Sequence, residues 1–397
     1  MQQFNDTQIH LLRFLSAALF GKEIHPKVHD WKALYREAGA HKVFPIVFDV
    51  SKTFVTDEAL LQKAAKHARR ALSVTVNINY THADLGRVME QAHIPYVSFK
   101  GLASALYYPK PELRTGGDVD FYVASEDFER TEKVLSDAGY TFVEDGGKHV
   151  VYQKNDVFFE MHRTLNGIPD NALGDRIRAD VFGGLLQSAR EYDIGQGVVK
   201  IPDTYHHGMI LLLHTLSHML KEGIGLRHLC DWAVFAASLS EEEFCSIFEK
   251  RLKEYGLWRF ACLLSLCANR YLGAPYKAWQ GRAEDTLLEK MMCDIMSSGN
   301  FGEKDADRKR QIKYISDRGE YTHSERSVIA QVRNTLNKKA AKQQKSKAAV
   351  LMEYLKNVTS GKRKLDTAKT LEGAAQRKAV YQEFHLFESE EQTDEKK

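Results

Sequence analysis

Three hydrophobic rhythms follow one another along this chain. Over residues 1–90 apolar positions recur with the helical period. Ile9, Leu11, Leu12, Leu15, Leu19 and Phe20 fall on one side of a helix that Gly21 ends. Pro26 precedes a second helix at Trp31–Tyr35, and Gly39 and Pro45 punctuate the chain beyond it. Residues 57–91 predict a long helix with Leu60, Leu61, Ala64, Ala68, Leu72, Val76 and Tyr80 as its buried seam. The pattern then changes to strand-like runs. Ile94–Phe99 is β-branched and aromatic and predicts a strand. Gly101 comes next, then a short helix over Leu102–Tyr108, stopped by Pro109 and Pro111. Asp118–Val123 predicts a second strand. A helix begins at Ser125, which reads as an N-cap with acidic first-turn neighbours, and runs to Ala138 before Gly139. His149–Lys154 and Val157–His162 predict two more strands joined at an Asn155–Asp156 turn. From about residue 170 the helical period returns. A short strand pair is expected within Tyr192–Pro202, then helices at His207–Leu220, Leu226–Ala237, Glu241–Tyr255 and Leu257–Leu272.

This succession predicts an α+β protein with a small mixed β-sheet core flanked by helices. It divides the chain into four regions: N-terminal helices (1–92), the α/β core (93–168), a helical domain closing a cleft (169–302) and a basic helical or disordered tail (303–397). The chain has 397 residues, enough for two or three domains with a substantial core. Its hydrophobic content of 43% and charged content of 27% suit a soluble globular protein. A net charge of +3 is too small to argue for nucleic acid, but basic residues crowd late in the chain. Lys338–Lys347 is low in complexity and strongly basic, and Val350, Leu351, Tyr354 and Leu355 form an amphipathic pattern beyond it. The span Arg308–Lys364 reads as a solvated helical face or as a contact for RNA or DNA phosphates, without interleaved aromatics for base stacking. Glu388–Lys397 reads as disordered. Five cysteines without a CxxC pair read as structural thiols of a reducing compartment. The N-terminus lacks the layout of a signal peptide and no apolar run is long enough to span a bilayer. A cytoplasmic location without a membrane partner is therefore expected.

The chemistry concentrates between residues 97 and 123. Asp118 and Asp120 are two apart on one strand, so both point to the same face. Two carboxylates aimed at one spot repel each other unless a cation lies between them. The strand–Gly101–helix turn upstream offers backbone amides to an anion. Lys100 either adds charge for phosphates or merely edges the turn, and Arg114 either meets phosphates or pairs with Glu112 or another surface acid.

These residues resemble the DNA polymerase β-like nucleotidyltransferase superfamily, and more closely its bacterial branch of largely uncharacterised nucleotidyltransferases. The resemblance rests on Lys100-Gly101, Arg114 and Asp118-Val119-Asp120, with His214–His218 and Arg227–Trp232 similar to the branch's C-terminal helices. It covers roughly residues 1–300. Most of the superfamily has Gly-Ser or Gly-Gly at the turn; the branch shares the Lys-Gly form found here. The resemblance implies a nucleoside triphosphate such as ATP as substrate and Mg2+ (or Mn2+) held by Asp118, Asp120 and a third carboxylate on a neighbouring strand. It also implies a hydroxyl or phosphate acceptor on an unidentified small molecule, protein or RNA, and pyrophosphate as product. Glu160 is the candidate third carboxylate, and its place in the otherwise apolar run Phe158–Met161 itself asks for a partner. His162 shares its face and either acts near the acceptor or donates a hydrogen bond to Glu160. Gly101, Lys100, Arg114 and His162 are thus expected to bind the nucleotide. The alternative is a nucleotide-sensing or nucleic-acid-associated protein that keeps the fold with little turnover.

Two further features invite chemistry. His214 and His218 have the spacing of a zinc pair, but no zincin glutamate follows His214 and no third ligand is apparent, which favours packing or hydrogen bonds to nucleotide. Asp231, in an apolar helix, is expected to pair with Arg227 or His228, or to place substrate.

Overall fold

Helix α1 (Asp6–Phe20) begins where Asn5 and Gln8 cap each other's backbone amides and ends at Gly21, whose φ of 64° only glycine adopts freely. With α2 (Trp31–Ala40) and α3 (Phe44–Ser51) it buries Leu11, Phe14, Leu15, Leu34 and Val47 in one helical core. A computed structural model of the chain describes residues 4–165, 167–305, 307–308 and 367–388. The basic run at Lys338–Lys347, the amphipathic pattern beyond it and residues 389–397 lie outside the described residues.

Helix α4 (Glu58–Gln91) departs from its expected seam. Ala64 is buried and Leu60, Leu61 and Ala68 pack on the N-terminal core, but Leu72, Val76 and Tyr80 are exposed. Farther on, Ile78, Leu85 and Met89 are buried against the sheet instead. At 34 residues the helix is about 50 Å long, so it serves two cores in turn, and one periodic face cannot meet both.

The sheet contains β1 (Tyr96–Phe99), β2 (Asp118–Val123), β3 (Thr141–Asp145), β4 (His149–Lys154) and β5 (Val157–His162), in the spatial order β1-β2-β5-β4-β3. Only β2 and β5 run parallel; the other neighbours are antiparallel. Helix α5 (Gly101–Ala105) is shorter than expected, and α6 (Phe128–Asp137) lies between β2 and β3. The β4–β5 turn at Asn155–Asp156 has positive φ at both residues, 50° and 61°, as a two-residue type I′ hairpin requires. Strand β3 is an exposed edge whose side chains do not alternate between core and solvent, which is why its hydrophobic pattern gives no strand signal. One face of the sheet packs Val119, Phe121, Val150, Phe159 and Met161 against α4 and α6. The opposite face carries Asp118, Asp120, Glu160 and His162.

That face looks towards a second helical body. Helix α7 (Ala172–Gly183) leads through the hairpin β6 (Arg190–Asp193) and β7 (Val198–Ile201) to α8 (Thr204–Leu220) and α9 (Leu226–Ser238). Helices α10 (Glu241–Phe244) and α11 (Lys250–Glu254) are one run interrupted by a π-helical turn at Cys245–Glu249. Gly208 on α8 is needed there, because a Cβ would lie 2.5 Å from the Phe248 ring. Helices α12 (Trp258–Cys267) and α13 (Asp285–Ser298) complete the body. Arg308 and α14 (Thr367–Gln382) join it; of the span Arg308–Lys364 only Arg308 is among the described residues. Arg308 is buried in a two-point pair with Asp294 at 2.7 and 2.6 Å, and the buried Tyr381 hydroxyl donates to the Met219 carbonyl at 2.7 Å. All five cysteines are free thiols, and among the described residues no helix is long and apolar enough to cross a membrane.

Candidate active site

The parallel pairing of β2 with β5 sets Asp120 directly beside Glu160. Asp118 and His162 lie one repeat away on the same face. Sequence spacing could bring Asp118 and Asp120 together; only this register brings Glu160 and His162 to them.

Asp120 is buried. Its Oδ1 accepts from Lys100 Nζ at 2.6 Å and lies 2.7 Å from His162 Nε2. Burial opposes its charge, but Lys100 and His162 hold its pKa well below the usual carboxylate range. For His162, burial and Lys100 oppose protonation, yet the bonds to Asp120 and Glu160 raise its pKa above the ordinary imidazole value. Asp118 stands at the open edge of the strand with no hydrogen-bond partner among the described residues, although it is sunk among protein groups. Burial, then the charges of Asp120 and Glu160, push it up to about 6. Lys100 sits in this site on a backbone with φ of 59° and ψ of −126°, a conformation that side chains other than glycine rarely adopt.

Arg114 does not reach towards an open anion site. It is buried and forked onto Asp231 of α9, Nε to Oδ1 at 2.8 Å and Nη2 to Oδ2 at 2.7 Å, with the Tyr108 hydroxyl donating to the same carboxylate at 2.6 Å. Burial disfavours both charges, but the partners hold Arg114 above and Asp231 below their ordinary values. Asp231 therefore pairs with Arg114, not with Arg227 or His228 as its helical spacing suggested. The pair locks α9 onto the loop that delivers β2.

Two cavities meet at these residues. The larger, about 490 Å3, runs from Asp118, Asp120 and Glu160 to a wall of His214, His218, Arg227 and His228. The smaller, about 300 Å3, lies on the other side between α4, α5 and the β6–β7 hairpin, with Ile78, Leu102, Leu106 and Ile194 among its apolar lining. Gly101, Arg114, Gly116, Asp118 and Asp120 border both. Of the residues expected to form the site, Lys100, Gly101, Arg114, Asp118, Asp120, Glu160 and His162 all line the larger cavity.

The donor set suits a hard divalent cation. Among the described residues Asp118 has no hydrogen-bond partner, both bonds to Asp120 go to a single oxygen, and the like-charge crowding that raises Asp118 is what a cation relieves. A second group, missed in the sequence, overlaps it. His149, Glu160 and His162 bring ligand atoms within 4.8 Å of one another, since β4–β5 pairing sets His149 opposite His162. No spacing signal announces His149; only knowledge of the register could.

A family model described as an uncharacterised nucleotidyltransferase matches residues 27–273, well over half of the chain. The chain belongs to this uncharacterised nucleotidyltransferase family. No curated protein matches. Among solved structures, an antigenic nucleotidyltransferase-like protein from Paracoccidioides brasiliensis is similar at 14% identity and a TM-score of 0.32, over 51% of this chain and 94% of its own. The family match ends at Gly273, which closes the helical run beyond α12, so all the site residues named above fall within it.

Proposed function

We propose that this member of the family is a metal-dependent enzyme of the polymerase β-like type that moves a nucleoside monophosphate from a triphosphate to an acceptor. The observation that carries this reading is the junction of two cavities at Asp118 and Asp120, with Glu160 on the same sheet face. A transfer reaction needs two substrates to meet at one charged point, and this is where the fold provides one.

Asp118, Asp120 and Glu160 would hold magnesium or manganese, which when bound neutralises phosphate charge and polarises the α-phosphorus. The acceptor oxygen bonds to that phosphorus while the bond to the bridging oxygen breaks. Pyrophosphate leaves with the electron pair, and the acceptor hydroxyl proton passes to the Glu160 carboxylate. His162, bonded to Asp120 and near Glu160 at 3.4 Å, orients both acids. Lys100 holds Asp120 ionised from the other side.

The test is pyrophosphate release and label transfer with each α-labelled triphosphate, with and without Mg2+ or Mn2+. Asp118→Asn is expected to lower both by at least about a hundredfold, the scale of losing a preorganised charge at the reacting centre. Equal signals from wild type and D118N would overturn these roles. One observation favours binding without turnover: the Lys100 ammonium already sits on Asp120, where a cation is wanted. Nucleotide binding without release of pyrophosphate, with or without metal, would select that reading.

A further inference from the structure

The wall of the larger cavity that faces the carboxylates pairs His218 with Glu222 at 3.2 Å, but leaves polar atoms of Arg227 and His228 without partners among the described residues. Arg227, at the start of α9, donates through Nη1 to the Thr115 carbonyl at 3.2 Å, while its Nε is buried without a partner. Among the described residues no carboxylate makes a direct ion pair with it; Asp231, forked onto Arg114, and Asp118 attract it only from farther away. Burial, then repulsion from Arg114, lowers its pKa. His228 is 2% exposed, lines the same cavity, and has both ring nitrogens without a hydrogen-bond partner among the described residues. Across from it on α8, the rings of His214 and His218 lie 4.4 Å apart and each 5.8 Å from the His228 ring.

Zinc does not explain this cluster. Among the described residues, the histidine and carboxylate atoms close enough to share an ion are those of His149, Glu160 and His162, not these. Simple packing does not explain it either, since a half-buried guanidinium that no carboxylate contacts directly and a buried imidazole without a hydrogen bond both cost free energy. An anion with several acceptor oxygens would satisfy both, and the planar guanidinium fork suits phosphate oxygens in particular. Phe301, itself exposed, flanks one side, its ring 4.6 Å from His218, 5.2 Å from His228 and 5.8 Å from the Arg227 guanidinium carbon.

We propose that Arg227 and His228, flanked by His214 and His218, form the subsite that holds the polyphosphate tail of the nucleotide, across the cavity from Asp118, Asp120 and Glu160. This rests on the nucleotidyltransferase reading and adds to it the group that receives the leaving pyrophosphate. It also assigns the phosphate contact to Arg227 rather than to Arg114, whose fork is already filled.

Calorimetry on the full chain with inorganic tripolyphosphate, pyrophosphate and phosphate, without metal, tests it. Wild type is expected to bind tripolyphosphate more tightly than phosphate, in competition with a nucleoside triphosphate. Arg227→Gln is expected to weaken tripolyphosphate at least tenfold. His218→Asn, at the half-buried edge of the wall, is expected to weaken it severalfold, and supplies a second variant if R227Q does not fold. Unchanged tripolyphosphate affinity in both folded variants, with triphosphate turnover by wild type intact, would overturn the subsite and leave the transferase reading. Tripolyphosphate binding that R227Q abolishes, in a wild type that turns over no triphosphate, would overturn the transferase reading and leave the anion site. Simultaneous binding of tripolyphosphate and nucleotide would overturn the subsite.

Discussion

At the scale of single residues, the site contains two arginines with opposite situations. Arg114 is buried with two bonds to one carboxylate, so neutralising that partner leaves a charge stranded. Asp231→Asn is expected to cost about 3–5 kcal/mol, the scale of breaking a buried ion pair from one side, as read from urea unfolding. Arg227→Gln removes a charge that no carboxylate contacts directly, though Asp231 and Asp118 attract it from farther away, and its unfolding midpoint should fall far less than that of Asp231→Asn. If the two variants lose similar stability, the division into a structural and a ligand-facing arginine is wrong. Asp118 shows the same logic for an acid. Its ionised form is disfavoured by burial and by two neighbouring carboxylates, so Asp118→Asn should raise the thermal midpoint while removing activity. Lys100 adds backbone strain to its charge. Lys100→Met keeps the strained φ and loses the bond to Asp120, whereas Lys100→Gly loses the same bond and relaxes the backbone. K100G should therefore be the more stable of the two by roughly 1–3 kcal/mol, with both impaired in turnover; equal stability would mean that the turn stores no strain.

Elements decide which of these residues meet. The hairpin from β4 to β5 fixes the register that sets His149 opposite His162, and its turn is made by two residues with positive φ. Asn155 suits that conformation; Asp156 suits it less well than glycine would. Asp156→Gly is expected to stabilise the protein by up to about 1 kcal/mol in urea unfolding without altering nucleotide turnover. A loss of stability would show that the aspartate side chain supports the turn. The Asn155 carbonyl also accepts from Asn77 at 2.8 Å, which ties the hairpin to the middle of α4. That contact sits where α4 passes from one core to the other, and it clarifies why the seam expected from Leu72, Val76 and Tyr80 is exposed. Over this stretch the Asn77 bond and the buried Ile78 together hold the helix to the sheet. The Asn155–Asp156 turn was legible because local φ demands are written in residue type, whereas the change of face along α4 depends on its neighbours in space.

The molecule as a whole is a sheet with one face sealed against α4 and α6 and the other turned to the α8–α9 wall. Histidines are built into both packed regions. Burial lowers His82, bonded to Ser98, and His207, behind Tyr107, each to about 4. In the unfolded chain both titrate near 6.5, so below that value the unfolded state binds more protons. Stability should be lost as the pH falls from about 6.5 towards 4, by up to about 1.4 kcal/mol per pH unit for each histidine. His162 acts in the opposite sense: its raised pKa adds stability at low pH that disappears as the pH rises through that value. A lower urea midpoint at pH 5 than at pH 7 is expected, and equal midpoints would mean that the buried histidines contribute nothing to acid sensitivity. By itself, the sequence determined what is local. Alternation put Asp118 and Asp120 on one face, the Lys100–Gly101 turn marked the site, and hydrophobic period separated the helical regions from the sheet. Tertiary structure decided what is paired across the chain: Glu160 beside Asp120, His149 opposite His162, Arg114 bound to Asp231 some 117 positions away, and Arg227 left without a direct ion pair among the described residues. Periodicity reports which way a side chain points, but a buried charge takes whichever partner the fold brings within hydrogen-bond reach, and that depends on register and helix placement together.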